Sequence, residues 1–79
     1  MKVRVLFFGA TADAAGRRET ALELDGPISV AAVCEIVLNH APDLQARGLL
    51  FAVNEEYADG DTIVEDGDEV AIFTPVSGG

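Results

Sequence analysis

The sequence predicts one small α+β domain, a mixed β-sheet packed on a single main helix. Three observations carry this prediction. The chain has 79 residues, 49% of them hydrophobic, enough to fill one core and too few for two. Apolar residues alternate with period two near both ends, but from Val30 to Leu38 they recur at three- and four-residue spacing, which separates strands from a helix. Gly and Pro stand where one pattern gives way to the next, as turns require. A domain of this size buries only about 60% of the surface its unfolded chain exposes, so its core has to be dense.

In the opening segment Val3, Val5 and Phe7 alternate with Lys2, Arg4, Leu6 and Phe8. This is a central strand with one apolar and one mixed face. After a loop from Gly9 to Arg18, Glu19 to Asp25 alternates again and pairs with the first strand as a hairpin, until Gly26-Pro27 breaks it. Ser29 is a good N-cap for an amphipathic helix of about three turns bearing Val30, Val33, Cys34, Val37 and Leu38, and Pro42 lies just past its end. Asp43 to Gly48 reads as a loop or single helical turn, and Leu49 to Asn54 as a third strand. Asp59-Gly60-Asp61 and Asp66-Gly67-Asp68 are turns on either side of a short strand, Thr62 to Val64; Glu69 to Phe73 is the last strand. The order strand, strand, helix, strand, short strand, strand is that of the β-grasp fold, the fold of ubiquitin, whose first and last strands pair in parallel at the sheet centre. A small α+β sandwich of another topology satisfies the same order. The domain is expected to span residues 1–73, with 74–79 an extended, flexible tail of the same domain.

Composition excludes several function classes. Cys34 is the only cysteine, so an intrachain disulfide, a CxxC zinc site and a four-cysteine iron-sulfur cluster are all ruled out, and with them a ferredoxin-type β-grasp. No resident metal or cofactor is expected. There is no apolar run of about 18 residues for a membrane span, and Lys2 and Arg4 interrupt the apolar start in a way a signal peptide does not. A soluble, cytoplasmic protein with no membrane partner is expected. Fourteen acidic against five basic residues give a net charge of −9, which repels nucleic-acid phosphates and favours protein partners with basic docking surfaces, or serves solubility alone. Cys34 reads as core packing and His40, near the helix end with no nucleophile close in sequence, as structural or solvated. The acidic residues from Asp59 to Glu69 lack the twelve-residue spacing of a calcium loop. Arg17 and Arg18 read as solvated.

The chemistry concentrates in Thr74-Pro75-Val76-Ser77-Gly78-Gly79. A terminal Gly-Gly arises by chance in about one chain in 200, so its weight comes from context: the last strand runs directly into a tail poor in side chains. Six residues can extend about 20 Å, far enough to enter a partner's buried site. Glycines lack Cβ and can thread a narrow channel, while Pro75 stiffens the base. A carboxylate is a poor electrophile, so transfer chemistry at Gly79 must begin with activation, most simply an acyl adenylate made from ATP on another enzyme. A frayed chain end satisfies composition and position alone.

Val5-Leu6-Phe7-Phe8, Leu50-Phe51-Ala52-Val53-Asn54 and the stretch Asp66 to Gly79 make the chain resemble the small, sulfur-carrying subunit of molybdopterin synthase. The likeness is strongest over the final 14 residues and weak from Ala10 to Arg47, and Thr74 stands where that family commonly has a first proline. The resemblance implies that an adenylyltransferase of the ubiquitin-activating type activates Gly79, that sulfur replaces a carboxylate oxygen, and that the large subunit of the synthase receives the tail, with two small subunits on two large ones. Sulfur would pass to a cyclic pyranopterin precursor, and two rounds would build a dithiolene. Catalytic residues would belong to the large subunit, and ATP would be consumed by the activating enzyme only.

Strand parity places Phe8 and Phe73 together on the face away from the helix, an exposed aromatic patch at the root of the tail unless a loop covers it. The resemblance gives this face, with Pro75, Val76 and Ser77, to partner binding. A thiamine-pathway sulfur carrier and a ubiquitin-like modifier of target lysines are the alternatives that share the terminal chemistry; an interaction module with an inert tail is a third.

Overall fold

The computed structural model describes residues 1–37 and 49–74. Its elements are β1 (Lys2–Phe7), α1 (Ala10–Ala15), β2 (Glu19–Glu23), β3 (Ile28–Ser29), α2 (Val30–Val37), β4 (Leu50–Val53), β5 (Glu56–Ala58), β6 (Ile63–Val64) and β7 (Glu69–Phe73). Five strands form one sheet in the order β2-β1-β7-β4-β5. β1 and β7 run parallel at its centre, and every other neighbouring pair is antiparallel. This is the expected β-grasp topology.

Period two in the sequence becomes two faces in the sheet. Val3, Val5 and Phe7 of β1 and Val70 and Ile72 of β7 are buried, and they meet Val30, Val33 and Cys34 of α2 and Val64 of β6 in one core. Each buried side chain of this size contributes about 1.5–3 kcal/mol. Ser29 caps α2 as its residue type predicts: its Oγ accepts the Ala32 N–H at 3.2 Å. The predicted run of α2 through Leu38, with His40, Pro42 and the segment Asp43 to Gly48, lies outside the described residues.

Three details go beyond or depart from the sequence expectation. The segment Gly9 to Arg18, expected as a loop, contains the helix α1, entered at Gly9 and ended by Gly16 in the left-handed region (φ 73°). Ala10, Ala12, Ala14 and Ala15 give it high helix propensity, and it packs on β1 and β7. The short strand β6 pairs not with the main sheet but with β3, Ile28 opposite Val64. Finally, β5 was not anticipated: β4 and β5 form a hairpin closed by Asn54 and Glu55, both at positive φ (51° and 70°), the backbone a type I′ turn demands.

Side chains tie this hairpin to the turn before β7. Asn54 donates to Asp68 Oδ1 at 3.0 Å and accepts the Glu69 N–H at 3.0 Å, while Asp68 Oδ2 accepts the Glu65 N–H at 2.8 Å. The Glu65 amide, and secondly Asn54, hold the Asp68 carboxyl below its ordinary value of 3.8. A carboxyl depressed in the folded state stabilises it above the unfolded pKa and loses that contribution as pH falls through the folded one. Asp68→Ala is therefore expected to lower the thermal midpoint at pH 7, with the gap to wild type narrowing once pH drops below 3.8; parallel calorimetric scans read this directly.

Cys34 is buried, and burial, with a smaller contribution from the charge of Glu35, pushes its thiol up to about 11 from 9.0. Only the thiolate reacts, so alkylation of the native protein at pH 7.5 should run about 100-fold slower than for an unperturbed cysteine, a ratio that follows from the two values. Alkylation timed by mass spectrometry checks this.

Candidate functional site

The face of the sheet away from α2 is divided by charge. Register and parity place Lys2, Arg4, Leu6 and Phe8 on this side of the first strand, with Glu19, Ala21 and Glu23 from β2, Glu69, Ala71 and Phe73 from β7, Leu50 and Ala52 from β4, and Tyr57 from β5. At the end where β1 begins, Arg4 Nε donates to Glu19 Oε2 at 2.8 Å and the guanidinium lies 3.6 Å from Glu69. The hydrogen bond and charge of Glu19 raise the Arg4 pKa. Toward the other end, where β7 finishes, the face is mainly apolar and aromatic, with Glu19, opposite Leu6, at its β2 edge. Leu50 is exposed, Phe8 is 53% exposed and Tyr57 83% exposed. Such a cluster on a small domain is the mark of an interface.

Phe8 and Phe73 share this face as strand parity predicts. The ring that packs against Phe73 is however Tyr57, with centroids 5.9 Å apart and planes tilted by 57°. Tyr57 was missed at the sequence level because β5 was missed; the signal was the spacing from Asn54, which places Tyr57 opposite Ala52 once the hairpin is drawn. Thr74 is half-buried. Pro75, Val76, Ser77, Gly78 and Gly79 lie outside the described residues.

A second residue was also missed. Thr11 of α1 is fully buried, the one buried polar side chain among the described residues. Its Oγ1 lies 2.9 Å from the Phe8 amide nitrogen, 2.8 Å from the Phe8 carbonyl and 2.7 Å from the carbonyl of Ile72. It joins β1 to β7 at the end of their pairing, which stops at Phe7 opposite Ile72.

Among the described residues no group of three or more His, Cys, Asp or Glu could hold a metal ion, and no helix is long and apolar enough to cross a membrane. Among the described residues the arrangement offers an exposed, mainly apolar and aromatic face beside the end of β7.

The model of the ThiS family matches residues 5–79. The chain belongs to the ThiS family. This ThiS-family chain is 37% identical to the molybdopterin synthase sulfur carrier subunit of Chlamydomonas reinhardtii over the whole of both chains. It is 34% identical to the subunit of the same name from Caenorhabditis briggsae, covering 100% of this chain and 99% of the relative. Among solved structures it is similar to SAMP1 of Haloferax volcanii, with a TM-score of 0.81 and 28% identity over all of both chains; a second crystal structure from H. volcanii gives the name in full, small archaeal modifier protein 1, with a TM-score of 0.79 and 26% identity, covering 95% of this chain and 98% of that one. The resemblance stated from the sequence and the β-grasp topology thus meet in one family of ubiquitin-like proteins.

Proposed function

We propose that this protein is the sulfur carrier subunit of a molybdopterin synthase, working through the carboxylate of Gly79. The observation that carries the reading is the 37% identity over the whole of both chains to a protein of that name, in a chain that ends in Gly78-Gly79. On an adenylyltransferase of the ubiquitin-activating type the Gly79 carboxylate attacks the α-phosphate of ATP and pyrophosphate leaves. A sulfide-level sulfur nucleophile then attacks the acyl carbon and AMP leaves with the displaced oxygen, so that sulfur replaces one carboxylate oxygen and a thiocarboxylate results. The tail enters the large synthase subunit, where the thiocarboxylate sulfur bonds to a carbon of a cyclic pyranopterin precursor and water cleaves the acyl–sulfur bond, so that sulfur stays on the pterin and the carrier leaves as carboxylate. Two carriers are consumed per dithiolene, in keeping with an assembly of two small and two large subunits.

The carrier is a tethered reactant. It holds no cofactor, and the acids and bases of the transfer belong to the large subunit. The apolar end of the sheet, with Phe8, Tyr57 and Phe73, docks both partners in turn, and Pro75, Val76 and Ser77 contact the partner behind the reacting Gly79. The net charge of −9 favours basic rims on those partners and cytoplasmic encounter steered by charge. Mixing the thiocarboxylated protein with large subunit and precursor tests the reading: molybdopterin should form with two carriers consumed for each product. If the thiocarboxylate persists, the carrier serves another pathway, such as that of thiamine.

The similarity to small archaeal modifier protein 1 favours one second reading, a modifier joined through Gly79 to target lysines. It predicts lysine-linked conjugates in cells that vanish when Gly79 is deleted.

A further inference from the structure

We propose that the Thr11 hydroxyl is a positioning residue that fixes the two peptide planes from which the docking rings Phe8 and Phe73, and the tail beyond them, leave the sheet. The assignment rests on the docking role given above to that face.

The hydroxyl has one proton and two lone pairs. It accepts the Phe8 N–H at 2.9 Å. Its proton has two candidate acceptors, the Ile72 carbonyl at 2.7 Å and the Phe8 carbonyl at 2.8 Å. Each of these carbonyls also receives one backbone N–H at 3.3 Å, that of Phe8 from Thr11 and that of Ile72 from Phe8. The Ile72 carbonyl is the nearer acceptor, and a proton directed to it bridges β1 and β7.

This location is specific in its consequence. The Ile72 carbonyl and the Phe73 N–H belong to one planar peptide unit, and the Phe8 N–H belongs to the unit that joins Phe7 to Phe8. One oxygen thus couples the last plane of β1 to the plane between Ile72 and Phe73, one step beyond the last paired position, Phe7 opposite Ile72. From here the chains diverge: Gly9 turns away at φ 61° into α1, and β7 goes on to Phe73 and Thr74. Without the hydroxyl, the longer 3.3 Å bond is all that remains between the two planes, in a site sealed from water. A small rotation of either plane is amplified along a ring or a tail.

Thr11→Val keeps the shape and removes the hydroxyl; Thr11→Ser keeps the hydroxyl. With the full chain and the large subunit, at a temperature where the wild type and both variants show native amide spectra, Thr11→Val is expected to raise Kd about tenfold. Sulfur transfer at saturating carrier should change less than about twofold, as for a loss of uniform binding. Thr11→Ser should bind within about twofold of wild type, because the hydrogen bonds persist. Hydrogen exchange of the wild type supplies a readout that needs no variant: the Phe8 amide should be protected like those of Val3 and Val5. An unchanged Kd in Thr11→Val, a failure of Thr11→Ser to restore it, or a Phe8 amide that exchanges like an exposed loop overturns the assignment. If the wild type does not bind the large subunit, the docking role falls and this assignment falls with it, whereas an effect-free Thr11→Val beside a binding wild type overturns this assignment alone.

Discussion

Deleting Gly78 and Gly79 is expected to abolish activation of the protein, with ATP–pyrophosphate exchange on the activating enzyme falling to its carrier-free background. The deletion shortens the tail by about 7 Å and leaves a carboxylate on Ser77, a residue with a side chain. Misplacing a reacting atom by about 1 Å can cost 10²-fold, so a carboxylate several ångströms short of the ATP α-phosphate has no compensating route. Gly79→Ala keeps the length and adds one Cβ beside the reacting carbon, and it should retain a measurable fraction of exchange. The fold should be indifferent to both changes, because the core among the described residues, Val3, Val5, Phe7, Val30, Val33, Cys34, Val64, Val70 and Ile72, is drawn from β1, β6, β7 and α2. Equal unfolding curves beside unequal exchange would show that the tail is chemistry and not structure.

Replacing Phe8 and Tyr57 together by alanine should likewise separate docking from stability. Both rings stand in water in the free domain, 53% and 83% exposed, so most of their apolar surface remains to be buried by a partner. Full burial of a large apolar side chain contributes about 1.5–3 kcal/mol, and central aromatic residues are the usual hot spots of interfaces. Each alanine should weaken binding to the large subunit by about tenfold and the pair by about 10²-fold, read by titration calorimetry. The fold loses the tilted aromatic pair of Tyr57 and Phe73, worth about 0.5–1.5 kcal/mol, so denaturant midpoints should move little. A double variant that binds like wild type would remove this face from the docking surface.

The parts of the fold that rest on local pattern were legible in the sequence. Alternation in Lys2–Phe7 and Glu69–Phe73 gave the correct buried faces, the Ser29 hydroxyl marked the start of α2, and Asp66-Gly67-Asp68 marked a turn whose glycine has φ 85°. What the sequence hid depends on distant contacts. α1 has six residues, far below the roughly 12–15 at which a helix is even marginal alone, and it exists because β1 and β7 support it. β5 carries Glu56-Tyr57-Ala58 behind an Asn-Glu turn, where the strong hairpin signal would be Asn-Gly. Tyr57 was invisible for that reason. Thr11 looked like one polar residue in an alanine-rich loop, because its partner Ile72 lies 61 positions away. For the site, parity brought Phe8 and Phe73 to one face, and the Gly-Gly end was readable by inspection; the partner of Phe73 was not.

Intact-mass spectrometry of the protein incubated with activating enzyme, ATP and a sulfur donor tests the central claim most directly. The account predicts a gain equal to the exchange of one oxygen for sulfur, located at Gly79 by fragmentation and lost again when large subunit and pterin precursor are added. An unchanged mass, while an established carrier is converted in parallel, would contradict it.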